Sequence, residues 1–156
     1  DVFIIAIGFI IRLQMGALIG AVELSMWIII MTFLLALFLA FSKRKGDLLL
    51  ASGSKELRPV LEHYSHDFLN VCMAIMSSVI IVSYIMYTTS PLVISYMNSE
   101  HVYLNTVFVI FGLLRYLKLT FLDGDSGSPT MILIKDIWIQ LSVLFWIASF
   151  GFFLYL

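Results

Sequence analysis

The chain consists of five long apolar runs separated by short polar segments. The runs are residues 2–22, 24–41, 69–88, 103–122 and 137–156, and each is close to the ~20 residues that a helix needs to cross a membrane. Within them apolar residues follow one another without alternation, as in MWIIIMTFLLALFLAF, whereas the strands of a membrane barrel alternate polar and apolar positions. The pattern predicts an all-α integral membrane protein with five transmembrane helices in one domain.

Composition supports this prediction and excludes a soluble domain. The 156-residue chain is 62% hydrophobic and 12% charged, whereas soluble domains carry about 25% charged residues. The chain starts at an aspartate and its last residue still lies in an apolar run, so we expect it to be part of a longer protein. Its one cysteine, Cys72, falls inside the third run, which predicts a small buried side chain and excludes a disulfide framework.

Basic residues are concentrated in two of the polar segments. Residues 42–67 and 115–136 together hold eight of the nine lysines and arginines, while residues 89–102 and the turn at Glu23 hold none. Segments rich in lysine and arginine beside membrane spans stay in the cytoplasm. We therefore predict cytoplasmic loops at 42–67 and 118–136, with the start of the chain inside and its end outside.

Two serines predict where helices begin. Ser65 is a good N-cap for the third span, and Asp67 then lies in the first turn, near the positive end of the helix dipole. Ser128 precedes Pro129, which gives a cap followed by a proline in the first turn. The last helix should therefore begin about two turns before its membrane core.

The charged segment after the second span predicts a polar site. If the second helix continues past the membrane, Lys43 and Asp47 lie one turn apart on one face, with Arg44 beside them. These groups suit a phosphorylated substrate, with Asp47 as the candidate ligand for a divalent cation. Arg58, held extended by Pro59, can return over the same face. The alternative is that the basic residues act only as topology signals that attract anionic lipid.

Three further residues occupy unusual positions in or near the spans. Arg12 lies within the first span, and an arginine at the bilayer centre costs at least ~2.5 kcal/mol. We expect it either to line a cavity or to snorkel to the interface from a helix that ends near Leu13. Arg115 and Tyr116 lie near the inner end of the fourth span and are candidates for the polar site.

Other polar patterns in the chain do not predict a functional site. Residues 123–125, Asp-Gly-Asp, begin like a calcium loop, but Ile134 stands where the bidentate acid is needed, so an EF-hand is excluded. His63 and His66 are three residues apart but lack a third ligand for zinc. The sequence has no nucleic-acid-binding signature and no Ser-His-Asp set.

Six segments, taken in order, resemble an enzyme family over essentially the whole chain. They resemble the C-terminal half of the decaprenyl-phosphate phosphoribosyltransferases, a branch of the UbiA-type polyprenyl transferase superfamily. The segments are GFIIRLQMGA (8–17), SMWIIIMTFLLALFLAFSKRKGDL (25–48), RPVLEHYS (58–65), YIMYT (84–88), FGLLRYL (111–117) and GSPTMILIKD (127–136).

This resemblance implies a nine-helix membrane bundle, of which the chain would supply the last five helices. Members of the family transfer 5-phosphoribose from phosphoribosyl diphosphate to a polyprenyl phosphate, such as decaprenyl phosphate, and they use Mg²⁺. The resemblance further implies a bacterial inner membrane, with the active face in the cytoplasm. In bacteria of the mycobacterial type the product feeds cell-wall biosynthesis.

The resemblance also implies a substrate-binding set at the cytoplasmic end. The lipid phosphate would attack C1 of the ribose while basic side chains neutralise the leaving diphosphate. Asp47 would bind a cation or a sugar hydroxyl. The full predicted set is Lys43, Arg44, Asp47, Arg58, Tyr64, Arg115, Tyr116 and Arg12.

Two departures from the superfamily pattern leave alternative functions open. The first aspartate-rich motif has no counterpart here, so we expect the chain alone to be inactive. Residues 42–48, SKRKGDL, stand where many UbiA-type enzymes have a second aspartate-rich run. One alternative is a UbiA-type prenyltransferase that moves a prenyl group from a prenyl diphosphate to an aromatic or other acceptor. The other is a non-enzymatic transporter or membrane scaffold.

Overall fold

The protein is helical throughout the part that the computed structural model describes, which is residues 2–20, 26–51, 65–121 and 129–155. These ranges contain turns between the helices but no strand. The helices are α1 (Val2–Ile19), α2 (Met26–Ala51), α3 (His66–Thr88), α4 (Pro91–Met97), a 3₁₀ helix (Val102–Asn105), α5 (Thr106–Phe121), α6 (Pro129–Lys135) and α7 (Ile137–Tyr155).

Five helical segments in these ranges are long and apolar enough to cross a membrane, which confirms the predicted fold class. They are α1, α2, α3, α7 and the 3₁₀ helix together with α5. Large apolar side chains such as Leu18, Val82 and Leu144 are exposed on their outer faces. Exposed apolar surface of this extent is rare on soluble monomers and is what lipid contact requires. The chain is a multi-pass membrane protein.

The second helix continues well past the span expected from hydropathy. It runs to Ala51, whereas the apolar run ends at Phe41, so residues 42–51 are helical rather than part of a loop. Their sequence, SKRKGDLLLA, explains the difference: lysine, arginine, leucine and alanine are good helix formers, and Gly46 is the only strongly unfavourable residue among them. This continuation provides the rigid helical face on which the spacing of Lys43 and Asp47 depends.

The predicted start of the third helix is confirmed. Ser65 has extended backbone angles and its hydroxyl accepts a hydrogen bond from the backbone N–H of Phe68 at 3.2 Å. Pro129 is the first residue of α6, as expected of a first-turn proline, while its predicted cap Ser128 lies outside the described residues. One residue, Asp136, then separates α6 from α7. The prediction that the last helix begins two turns before its membrane core is therefore wrong, because Pro129 begins a separate short helix and α7 begins at Ile137.

The membrane-crossing helices pack in the order of the chain. Contacts join α1 to α2, α2 to α3, α3 to α5 and α5 to α7, and α6 also touches α2. The arc of helices therefore curls round so that its last part approaches α2. Side chains that are fully buried between these helices include Phe38, Leu69, Met73 and Ile132.

A close approach of α5 and α7 gives a stability prediction. A Cβ atom added to Gly112 would lie 3.0 Å from the hydroxyl oxygen of Ser142, whereas one added to Gly151 would meet nothing within 4 Å. We expect Gly112→Ala to destabilise the protein by about 1.5 kcal/mol relative to the control Gly151→Ala, because overpacking forces neighbours to move. The measurement is the thermal unfolding midpoint in detergent.

The same contact supplies a rescue experiment. Ser142→Ala removes the oxygen and leaves only the Ser142 Cβ, which is 3.9 Å from the added atom and so in ordinary contact. The double variant should therefore recover most of the stability that Gly112→Ala loses. Equal stability of the Gly112 and Gly151 single variants would show that the helices do not approach as described.

Candidate functional site

Polar groups of three helices meet at one end of the bundle, which we call the basic end. It is the end where α2 finishes, α3 begins, α5 finishes and α7 begins. The contacts of Lys45 establish the meeting, because this side chain of α2 hydrogen-bonds to Asn70 of α3 and to Thr120 of α5. The site is thus a junction of helix ends rather than a single charged loop.

Lys45 is the most deeply placed cation of this junction. It is 5% exposed, and its Nζ donates to Asn70 Oδ1 at 2.5 Å and to the carbonyl oxygen of Thr120 at 2.9 Å. The same atom lies 4.6 Å from the centre of the Phe121 ring, within the range of a cation–π contact. Lys45 therefore ties α2 to α3 and α5, and this structural role was not predicted from the sequence.

A signal for Lys45 was nevertheless present in the sequence. Leu34, Phe38, Phe41 and Lys45 are spaced i, i+4, i+7 and i+11, and all four are buried in the structure. Lys45 thus continues the buried stripe of α2, while Lys43, two residues earlier, falls on another face and is exposed. Extending the apolar periodicity into the charged segment would have identified it.

Three predicted site residues lie together on α2. Lys43 is exposed and Arg44 is partly buried, with its Nη1 3.5 Å from Asp47 Oδ2. The prediction paired Lys43 with Asp47, four residues apart, but the structure forms the pair from Arg44, three residues apart. Both spacings bring side chains to the same helix surface. The basic end therefore carries an exposed lysine and a partly buried pair of an arginine and a carboxylate within five consecutive residues of α2.

Tyr116 lies at the boundary between this polar end and the bundle interior. It is 3% exposed, its hydroxyl hydrogen-bonds to that of Ser42, and its ring packs on Phe38 with centroids 5.2 Å apart. The bond joins α5 to α2 at Ser42, the residue directly before the charged residues of α2. Tyr116 therefore closes the interior at the place where the polar surface starts.

Arg115, the neighbour of Tyr116, does not share its surroundings. Its guanidinium donates from Nε to Asp136 Oδ2 at 3.2 Å and from Nη2 to Asp136 Oδ1 at 3.1 Å. Asp136 Oδ2 also accepts the backbone N–H of Ile139 at 3.1 Å, so the carboxylate caps α7 as well. The hydrogen bonds from Arg115 hold the pKa of the Asp136 carboxyl below its usual value. The pair fixes the start of α7 against α5.

Inside the bundle lies an apolar cavity of about 550 Å³ that ends at Tyr116. α2, α3, α5 and α7 form its walls, and α6 contributes Leu133. The wall of α7 extends from Ile139 to Phe150, which corresponds to about 16 Å of helix. Its shape and apolar lining suit a hydrocarbon chain lying roughly along the helices.

The far end of the cavity is braced by a buried hydrogen-bond chain. Trp146 Nε1 donates to the hydroxyl of Tyr84 at 2.8 Å, and that hydroxyl donates to Asn105 Oδ1 at 2.7 Å. Tyr84 and Trp146 both line the cavity. Rigid aromatic side chains therefore form the end opposite Tyr116, and this network was not predicted from the sequence.

The remaining predicted residues do not join this junction in the described structure. Arg12 is exposed on α1 and its guanidinium carbon lies 5.8 Å from the centre of the Phe9 ring. Arg58 and Tyr64 fall outside the described residues. The structure thus places Lys43, Arg44 and Asp47 on the part of α2 that follows Ser42, the residue bonded to Tyr116, whereas Arg12 lies on α1. The roles of all eight residues stay predictions.

The magnesium prediction depends on Asp47. No group of three histidine, cysteine, aspartate or glutamate side chains that could hold a metal ion occurs in the described ranges. Mg²⁺ is often bound by one or two protein carboxylates together with substrate phosphates. Asp47, partly exposed beside Arg44, fits such a shared site as its carboxylate member.

The fold and the site together define a multi-pass helical membrane protein with an apolar cavity that ends at a basic surface. The chain is 26% identical to a decaprenyl-phosphate phosphoribosyltransferase of Mycolicibacterium smegmatis over 159 residues, which cover 97% of the chain and 49% of that protein. It is also 26% identical to a decaprenyl-phosphate phosphoribosyltransferase of Corynebacterium glutamicum over 149 residues, 94% of the chain and 44% of that protein.

These relatives confirm the resemblance that the six sequence segments predicted. The chain spans about half the length of the curated relatives it matches. No protein-family model and no solved structure matches it.

Proposed function

We propose that this chain is part of a membrane glycosyltransferase that moves 5-phosphoribose from phosphoribosyl diphosphate to a polyprenyl phosphate. The observation that carries the proposal is the junction of two chemically different surfaces at Tyr116. On one side lies an apolar cavity of about 550 Å³, and on the other α2 presents Lys43, Arg44 and Asp47. A polyprenyl phosphate has the same division, with a long hydrocarbon chain that ends in a phosphate.

The cavity accounts for binding of the hydrocarbon part. Phe38, Leu113 and Val143 represent its mostly aliphatic and aromatic lining. Burying apolar surface stabilises a complex by roughly 25 cal/mol per Å², and in a bilayer this gain is reduced because lipid already surrounds the chain. The cavity therefore contributes more to the selection and orientation of the hydrocarbon chain than to the affinity of its binding. It directs the phosphate end of the acceptor toward Tyr116.

The basic end accounts for the chemistry of the phosphates. An oxygen of the acceptor phosphate forms a bond to C1 of the ribose, and the bond from C1 to the diphosphate breaks with its electron pair leaving on the diphosphate. Lys43 and Arg44 lower the energy of this step by placing positive charge where negative charge gathers. Asp47 would hold Mg²⁺ together with the substrate phosphates, and the bound ion would supply further neutralisation of the leaving diphosphate. The arginine fork also fixes phosphate orientation.

Charge placement supports an active face in the cytoplasm of a bacterial inner membrane. Eight of the nine lysines and arginines lie in the segments that include the basic end, and the positive-inside rule assigns such segments to the cytoplasm. A water-soluble donor such as phosphoribosyl diphosphate would reach that face from the cytosol. The two curated relatives are named for the same acceptor and the same transferred group.

A donor comparison tests the proposed function. Membranes from cells that express the complete reading frame containing this sequence are incubated with labelled phosphoribosyl diphosphate or labelled prenyl diphosphate, and the lipid products are separated. We expect label in a polyprenyl phosphoribose product only from the first donor. Label transferred only from prenyl diphosphate would replace the proposal with a UbiA-type prenyltransferase. Consumption of neither donor would support the transporter or scaffold alternative.

The role of Arg44 gives a second prediction on the same assay. Arg44→Ala should lower transfer about tenfold with normal protein level, because one charge-assisted contact to phosphate is lost. Arg44→Lys keeps the positive charge but not the forked guanidinium, so its transfer rate should lie between those of the wild type and Arg44→Ala. Lys135→Ala is the matched control, because Lys135 is an exposed cation at the end of α6. Wild-type kinetics in Arg44→Ala would remove this residue from the site.

A further inference from the structure

The helix α5 presents two chemically distinct faces. Its inner face, with Gly112, Leu113 and Tyr116 among its residues, lines the apolar cavity. Four other residues at spacing i, i+3, i+4 and i+7 form a second face, and with Trp138 of α7 they line a separate groove of about 480 Å³. These residues are Phe111, Leu114, Arg115 and Lys118. Because the groove lies on the outer surface, it is independent of the proposed acceptor cavity.

The groove is divided into an apolar half and a charged half. Phe111 and Leu114 are 46% and 58% exposed, and they lie toward the middle of the membrane span. Arg115 and Lys118 lie toward its basic end, and Trp138, 52% exposed, borders them at the start of α7. Tryptophan is enriched at the membrane interface, where an aromatic ring meets lipid headgroups. The division matches the depth at which acyl chains give way to headgroups.

The charges near the groove favour an anion. Arg115 and Lys118 carry two positive charges, and Asp136, which is hydrogen-bonded to Arg115, carries one negative charge. Counted over the described residues of the groove and its ion pair, the formal sum is one positive charge. The bidentate contact to Asp136 also fixes the orientation of the Arg115 guanidinium. Lys118 is exposed at the end of α5 and has the reach to follow a headgroup.

We propose that this groove binds one anionic phospholipid of the leaflet at the basic end. The phosphate contacts Lys118, with the positive charge of Arg115 beside it, and an acyl chain lies along Phe111 and Leu114. A phosphodiester carries one negative charge and so matches the formal charge of the groove. Basic pockets between transmembrane helices are known to select anionic headgroups in this way. The site differs from the acceptor cavity in position, charge and occupant.

Native mass spectrometry of the protein released from nanodiscs tests the proposal. The protein is the complete reading frame that contains this sequence, and the discs hold equal amounts of phosphatidylglycerol and phosphatidylcholine of matched chain length. We expect the retained lipid to be phosphatidylglycerol by about fivefold over phosphatidylcholine. Lys118→Ala should abolish this preference and Lys118→Arg should keep it. Lys135→Ala, which removes an exposed cation of α6 that does not line the groove, should leave it unchanged.

Four outcomes would overturn the assignment. Equal retention of the two lipids would show that charge does not select the occupant. An equal loss of preference in Lys135→Ala and Lys118→Ala would indicate general attraction to the basic end rather than a site. Displacement of phosphatidylglycerol by polyprenyl phosphate would make the groove part of the acceptor path, and displacement by inorganic phosphate would make it a site for a soluble anion. None of these measurements uses transfer activity. The lipid-retention test therefore stays valid even if the proposed function is wrong.

Discussion

Lys45→Ala should lower the stability of the protein by about 3 kcal/mol, because it leaves two hydrogen-bond acceptors unpaired and removes the cation–π contact. The acceptors are Asn70 Oδ1 and the carbonyl oxygen of Thr120, at 2.5 Å and 2.9 Å from Lys45 Nζ. A loss of this size corresponds to a fall of about 8 °C in the thermal midpoint. The midpoint is followed in detergent by tryptophan fluorescence.

Two variants separate the causes of this effect. Lys43→Ala is the matched control, since Lys43 is a lysine two positions earlier on the same helix but exposed, and its midpoint should move by less than about 1 °C. Lys45→Met keeps the aliphatic stem and removes the donors, so it should lose most of the stability but less than Lys45→Ala. Equal midpoints for Lys45→Ala and Lys43→Ala would show that the three-helix contact does not form.

Asp136→Ala should have an effect of similar size, about 3 kcal/mol, because one carboxylate has two functions. It caps α7 through the N–H of Ile139 and forms the bidentate pair with Arg115. Loss of an N-cap costs about 1 kcal/mol, and loss of the partner of a partly buried arginine adds about 2 kcal/mol. Asp136→Asn keeps a good N-cap but loses the charge, so it should lower the stability only by the about 2 kcal/mol that the pairing with Arg115 contributes. The same thermal midpoint measures both.

The pH dependence of this stability has a definite sign. Arg115 lowers the pKa of the Asp136 carboxyl in the folded protein, so its contribution is complete above the unfolded-state pKa and is lost only as pH falls through the lowered folded-state value. The difference in midpoint between wild type and Asp136→Asn should therefore stay constant from about pH 8 to about pH 5 and shrink only in stronger acid. A difference that disappears near pH 6 would exclude the pair as its source.

The membrane architecture follows from sequence because its signals are local. Apolar runs of about 20 residues specify helices whatever lies beside them, and Ser65 specifies the start of α3 through its own side chain. The extension of α2 to Ala51 also depends on local propensity, but hydropathy alone ends that span near Phe41.

The arrangement of the polar side chains is harder to predict from the sequence, because it depends on how the helices are rotated relative to each other. Arg115 and Tyr116 are adjacent in sequence and were predicted to share a cavity end. On a helix they point about 100° apart, so Tyr116 meets Ser42 inside the bundle and Arg115 meets Asp136 at the outer groove. The partners Ser42 and Asp136 come from distant parts of the chain, and no local pattern indicates them.

The double use of Asp136 restricts how this position can evolve. Asparagine would keep the cap on α7 but not the charge that Arg115 requires, and glutamate would keep the charge but is too long to cap well. Only aspartate meets both requirements. Among homologues we therefore expect aspartate to persist here wherever Arg115 is an arginine, and to drift only in lineages where that arginine has been replaced.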